Sequence, residues 1–395
     1  MSTPRVRTGL DILAADGFAR LRGQRVGLVA HPASVDAHLR HAIELLASAP
    51  AVRLEAVFGP EHGLLGEAQD MAGVRDDRDP LSSLRAYSLY GDSPASLRPT
   101  PDQLAGLDVL VIDLQDVGSR YYTFQATMLF CLEAATGRDL KVFVLDRPNP
   151  LGGAVVEGPT LRPGFESFVG IHPLPTRHGL TVGELARFYR SERGLAVDLE
   201  VIPCDGWRRD MYFDQTGLPW VLPSPNMPTV DTAFVYPGQC LIEGTNLSEG
   251  RGTTRPFELC GAPWIGPHAL VGRLEREELP GVRFRPAWFR PTFQKFAGQT
   301  CGGVQLHVTD RQTFRPVRTG LAVLAALREL SGNHFAWRTA PYEFVADKPA
   351  IDLLFGSDRE RLGLEAGLPA AELARAWEAE EDAFRARVGW TSRGA

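Results

Sequence analysis

Short apolar runs recur along the first two thirds of the chain. Four of them stop abruptly in clusters of ionisable, aromatic and glycine residues: LEAVFGPEHG, DVLVIDLQDVGSRYYT, KVFVLDRPNPLGG and QCLIEGTNLSEGRGTTRPFE. Runs of that length predict strands, here over 24–30, 52–58, 84–90, 109–113 and 142–146. Helix-like stretches over 37–48 and 122–137 fall between them, the alternation of βαβ units. VLVID and VFVLD are apolar throughout, as strands covered on both faces are, so a mostly parallel sheet is the simplest account. Ligands of such sheets bind beyond the carboxyl ends of the strands, which makes the polar clusters the expected site and the chain an expected α/β enzyme.

Farther along, Thr181 and Glu184 form a capping-box pattern that predicts a helix through Arg190, followed by a strand over 196–202. The stretch from Asp205 to Asn226 is rich in Trp, Pro and Gly and reads as a long ordered loop, a kind that is commonly functional. The character then changes. Alternation predicts strands over 282–289 and 303–308, and helical spacing predicts helices over 320–330 and 370–388. The resulting division is an α/β domain over 1–260 and a smaller α+β domain over 261–395.

A length of 395 residues with 44% hydrophobic and 23% charged residues allows a sizeable core and two domains. The net charge of −6 argues against a nucleic-acid partner, which needs a basic face. The five cysteines are scattered and lack a CxxC pair, so buried free thiols in a reducing compartment are expected rather than disulfides or a zinc ribbon. The first residues show no signal-peptide pattern, and no run approaches the about 20 apolar residues of a membrane span. A soluble cytoplasmic protein with no membrane partner is the expectation. GxxxxGK[ST] and GxSxG are absent, and His172 and His178 lack a zinc spacing, so neither a cofactor nor a metal is expected.

Four clusters carry candidate chemistry. Glu61, beside His62, directly follows a predicted strand; a carboxyl there can act as a general acid, or it can cap a turn with His62 solvated. Asp113, Asp116, Arg120, Tyr121 and Tyr122 occupy the next strand-to-helix loop, where a catalytic carboxylate and a loop-stiffening Asp–Arg pair are both readable. Asp146, Asn149 and Glu157 lie on proline-stiffened segments suited to sugar binding or to shaping the backbone. The densest cluster holds Glu243, Asn246, Glu249, Arg251 and Arg255 on a glycine-rich backbone, where an arginine can clamp a substrate carboxylate bidentately.

Taken in order, VFGPEHG, DLQDVGSRYYT, LDRPNPLGG, EGP, HGLTVGELA, SPNMPT and EGTNLSEGRGTTRPFE resemble the NamZ-type exo-β-N-acetylmuramidases over about residues 9–390. The resemblance implies a Rossmann-like, mostly parallel sheet with helices on both faces, plus a smaller C-terminal α+β domain with a substrate cleft between them. It implies a glycosidase that releases terminal β-1,4-linked N-acetylmuramic acid from the non-reducing end of peptidoglycan fragments, with an amino sugar or muropeptide as its small-molecule partner. Glu61 becomes the catalytic acid. Asp113, Glu243 and Glu249 are candidates for the second carboxylate, and the substrate acetamido group, aided by Tyr121 or Tyr122, is a further route. Arg251 or Arg255 would read the lactyl carboxylate, with His62, Asp116, Arg120, Tyr122, Asn149, Glu157, His178, Asn226 and Asn246 as further substrate contacts. Hydrolysis of another bond in a muropeptide and non-catalytic saccharide binding are the competing readings.

Overall fold

The computed structural model describes residues 6–69, 71–79 and 84–389. Its strands are β1 (Arg25–Val29), β2 (Arg53–Gly59), β3 (Asp77–Arg78), β4 (Arg85–Ser88), β5 (Val109–Ile112), β6 (Lys141–Leu145), β7 (Glu157–Thr160), β8 (Pro175–Arg177), β9 (Asp198–Ile202), β10 (Leu259–Ala262), β11 (Val282–Phe289) and β12 (Cys301–Val308). The helices are α1 (Gly9–Ala15), α2 (Ala42–Ser48), α3 (Pro101–Leu104), α4 (Phe124–Ala135), α5 (Val182–Glu192), α6 (Val230–Gln239), α7 (Pro267–Glu275), α8 (Pro316–Ser331), α9 (Ala350–Phe355), α10 (Arg359–Glu365), α11 (Ala370–Arg375) and α12 (Glu378–Arg387). Among the described residues no helix is long and apolar enough to cross a membrane.

The chain forms two compact units. The first runs to Gly118 and adds Tyr122–Ala154 and Gly179–Pro225. It holds a seven-stranded sheet in the order β3-β4-β2-β1-β5-β6-β9, parallel except for the β3–β4 pair. The apolar runs seen in the sequence fill its interior: Val26, Leu28, Val57, Val109, Val111, Phe143 and Leu145 pack with Leu10 and Leu13 of α1 and Ile43 and Leu46 of α2. Each such fully buried side chain contributes roughly 1.5–3 kcal/mol. Helix α1 sits directly on the ends of β6 and β9, because Gly9 has no Cβ; one placed there would lie 2.6 Å from both Asp146 N and Ile202 O. Thr8 and Asp11 cap α1 reciprocally, and Thr181 and Glu184 cap α5 in the expected way.

The second unit comprises Ser119–Tyr121, Val155–His178 and the chain from Asn226 onward. It contains the antiparallel sheet β10-β12-β11 and the β7–β8 hairpin. Its helices α6 and α8 cross in near backbone contact at Gly238 and Gly320: a Cβ on Gly238 would stand 1.9 Å from Pro316 O. That crossing and the β10–β12 pairing tie residues 226–262 to the second unit. The chain passes between the units several times, for the last time at Pro225/Asn226, whereas the sequence pattern changes character nearer 260.

Several elements differ from the sequence pattern for local reasons. The helix expected over 37–48 starts only at Ala42, because Asp36 Oδ1 collects the N–H groups of His38 and Arg40 in a turn. The helix expected over 370–388 divides into α11 and α12 at the buried Trp377, whose Nε1 donates to Glu360. The run QCLIEG, strand-like in the sequence, is instead the end of α6 and a 3₁₀ turn over Cys240–Gly244, a helix that contains Pro237 and packs against α8.

Candidate functional site

In the first unit β1 lies between β2 and β5, so successive connections leave it in opposite directions, the switch point beyond whose strand ends ligands of such sheets bind. The loops there carry His31 after β1, Glu61 after β2, Asp113 to Gly118 after β5, and Asp146 to Asn149 after β6. Glu61 is aimed by a tight turn. A Cβ on Gly59 would meet Leu64 N at 2.5 Å, and His62 and Gly63 take consecutive left-handed conformations at φ 72° and 79°. A left-handed histidine is uncommon. Its ring holds the turn by donating from Nδ1 to Ala68 O at 2.9 Å.

The Glu61 carboxyl is 5% exposed. Its Oε2 lies 2.6 Å from the hydroxyl of Thr123, the residue that opens α4, and its Oε1 takes a long 3.4 Å contact from Met71 N–H. A cavity of about 280 Å³ flanks the same turn, lined by Gly63, Leu64, Asp76, Tyr87 and Ser88 among others.

The surrounding polar residues hold the loops. His31 is fully buried; its Nδ1 donates to Pro223 O at 3.1 Å and its Nε2 accepts the Gln115 N–H at 2.9 Å. Burial pushes its pKa down to about 3, so the ring is neutral at physiological pH. Asp113 and Arg147 form a buried fork, Nε to Oδ1 at 2.6 Å and Nη2 to Oδ2 at 2.8 Å. Asp116 Oδ2 accepts the Gly118 N–H at 2.5 Å, and Asn149 spans its loop by accepting from Leu151 N and donating to Leu180 O. Asp146 receives Gly183 N–H at the start of α5, yet burial still pushes its pKa up to about 6.

In the second unit the densest sequence cluster becomes a buried charge network. Arg251 contacts Glu243 at 2.6 Å and Glu249 at 3.5 Å; Lys295 reaches Glu249 at 2.9 Å, and Tyr342 donates to Glu243 at 2.8 Å. Burial resists ionisation of Glu243, but Arg251, Tyr342 and Lys295 together hold its carboxyl below the ordinary range. Arg255 has a side chain 46% exposed and a loose 3.3 Å contact to Glu258. Asn246 bridges His334 O and Ala336 N.

The other predicted residues of this unit are buried. Arg120 donates to Pro159, Leu174 and Leu354 carbonyls, and Tyr121 donates to Pro237 O. Glu157 accepts the Arg318 N–H at 2.8 Å, and burial pushes its pKa up to about 7. His178 and Asn226 are likewise buried, as is Tyr122 of the first unit, whose ring edges against Phe124.

The fold thus brings Glu61 together with Thr123, Asp113 with Arg147, and Glu243 and Glu249 with Arg251. Sequence reasoning assigned no role to Thr123, Arg147, Lys295 or Tyr342. Lys295 is one of three lysines in the sequence, but the other two form partly exposed pairs, so scarcity alone did not single it out.

The family profile described as "Exo-beta-N-acetylmuramidase NamZ, N-terminal" matches residues 26–231, and its C-terminal counterpart matches 234–389. The peptidoglycan β-N-acetylmuramidase NamZ of Bacillus subtilis is 45% identical over 375 residues, 95% of this chain and 88% of that protein. Two crystal structures of Bacteroides fragilis proteins from a domain-of-unknown-function family superpose along almost the whole chain. One has a TM-score of 0.86 at 35% identity with 97% of each chain covered, the other 0.75 at 27% identity with 98% of each covered.

Proposed function

The chain belongs to the exo-β-N-acetylmuramidase NamZ family, and from that premise we propose that Glu61 is the acid–base residue with which it cleaves terminal N-acetylmuramic acid from peptidoglycan fragments. The observation that carries this reading is the placement of Glu61: a buried residue just beyond the carboxyl end of β2, aimed by a strained turn and held by a hydroxyl. In the first step its carboxyl proton passes to the glycosidic oxygen as the bond to C1 breaks. In the second, the Glu61 carboxylate takes a proton from the water that attacks C1.

The partner that attacks C1 first is, in this reading, the oxygen of the substrate's own 2-acetamido group. The protein carboxylates otherwise available are already counterions: Asp113 of Arg147, Glu249 of Lys295 and Arg251, and Glu243 of Arg251. Covalent bonding through any of them would leave a buried cation without its partner, which is strongly unfavourable. Attack by the acetamido oxygen predicts retention of the β configuration.

Arg255 is assigned to the lactyl carboxylate. Its guanidinium is half exposed and loosely held, whereas Arg251 is committed to two carboxylates. We place the enzyme in the cytoplasm, a reading supported by five free thiols, four of them buried.

Incubation with chromogenic β-N-acetylmuramide and β-N-acetylglucosaminide, with Glu61→Gln as control, tests the assignment. Release from the muramide by the wild type and loss of roughly 10²-fold or more in Glu61→Gln is expected. An active Glu61→Gln overturns the acid–base role, and an initial α-anomer in the product overturns acetamido attack.

A further inference from the structure

Resting on the assignment of Glu61, we propose that Thr123 is a positioning residue whose hydroxyl orients the Glu61 carboxyl through both of its protonation states. A threonine immediately before a helix ordinarily turns its hydroxyl onto the free N–H groups of the first turn. Thr8, Thr100, Thr181 and Thr229 all do so in this chain, each from an extended backbone. Thr123 does not. Its backbone is already helical, at φ −68° and ψ −13°, and its side chain makes no cap to α4. The hydroxyl instead lies 2.6 Å from Glu61 Oε2, 62 residues away in sequence.

The choice of a hydroxyl fits the chemistry. An arginine fork, such as Arg147 on Asp113, stabilises only the ionised carboxylate. A carbonyl would accept only from the protonated acid. A hydroxyl donates to the carboxylate and, after rotating, accepts from the carboxylic acid. Glu61 must pass through both forms in one catalytic cycle, and Thr123 can follow it without a rearrangement of the backbone. The Met71 N–H on the other oxygen, at 3.4 Å, is too long to orient the group alone. Thr123 is itself 7% exposed, so water is a poor substitute for the missing group in a variant.

The test compares Thr123→Val, which keeps the shape and removes the hydroxyl, with Thr123→Ser, which restores it. On the chromogenic muramide, Thr123→Val is expected to lose roughly 10- to 100-fold in kcat with KM changed by less than about twofold, and Thr123→Ser to return to within about threefold of wild type. A hydroxyl bonds more strongly to the carboxylate than to the acid, so the alkaline limb of the kcat/KM profile should move to higher pH in Thr123→Val and stay in place in Thr123→Ser.

A Thr123→Val protein with wild-type kcat and profile but a lowered melting temperature would overturn the proposal in favour of a helix-capping role. Equal loss in the Val and Ser variants would overturn it too. Glu61→Gln separates the two levels: if it is inactive while Thr123→Val is unimpaired, only the positioning role falls. If it is active, the acid–base assignment falls and takes this inference with it.

Discussion

Glu157 offers a sharp test of the electrostatics of the second unit. Its carboxyl is buried at the start of α8, where Oε1 accepts the Arg318 N–H, and Oε2 has no hydrogen-bond partner. Burial is the main influence, raising its pKa from 4.5 to about 7; Arg177 on β8 and Arg315 before α8 oppose the rise, and Glu381 on α12 adds to it. An acid with a raised value binds its proton more tightly in the folded chain. Its contribution to stability is therefore complete below about pH 4.5 and is lost as the pH climbs toward 7.

At about 1.4 kcal/mol per pH unit, that gap makes the ionised group cost the fold about 3 kcal/mol above neutrality. Glu157→Gln keeps an oxygen for Arg318 and removes the ionisation. Chemical denaturation at pH 5 and pH 8 is the assay. The variant should match or trail the wild type at pH 5 and exceed it by about 3 kcal/mol at pH 8. An equal difference at the two pH values would refute the reasoning, because a packing effect does not titrate.

Three further substitutions and one control test other parts of the second unit. Arg251→Ala should destabilise the fold by roughly 3–5 kcal/mol, because it strands buried Glu243 and Glu249. Arg255→Ala should leave stability within about 0.5 kcal/mol while lowering the preference for muramide over glucosaminide by about tenfold or more, measured as the ratio of kcat/KM values. Gly238→Ala should cost roughly 3 kcal/mol or more in thermal or chemical unfolding, since the added Cβ meets backbone at Pro316 and not a movable side chain. Gly272→Ala in α7, where nothing lies within 4 Å, is the control and should gain up to about 1 kcal/mol.

The parallel sheet was legible because its strands are continuous apolar runs, and a run such as VLVI can satisfy its burial only between two covered faces. The capping box at Thr181 and Glu184 was legible for a similar reason: both partners lie within one turn. Helix α6 was not, because its residues become helical by packing against α8, more than 70 residues away in sequence. The glycine crossing at Gly238 and Gly320 has no local signature at all.

The same divide runs through the site. Sequence by itself determined the family and the strand-end location of three of the four polar clusters, Glu61 among them, since each rests on residues close together in the chain. Only the tertiary structure decided what those side chains do. It brought Arg147, Arg251 and Lys295 to Asp113, Glu243 and Glu249 as counterions. It also took the Thr123 hydroxyl from its own helix and set it on Glu61. The physical reason is common to all of these: a carboxylate's chemistry depends on the cations, donors and water within a few ångströms, and long-range chain contacts choose those neighbours.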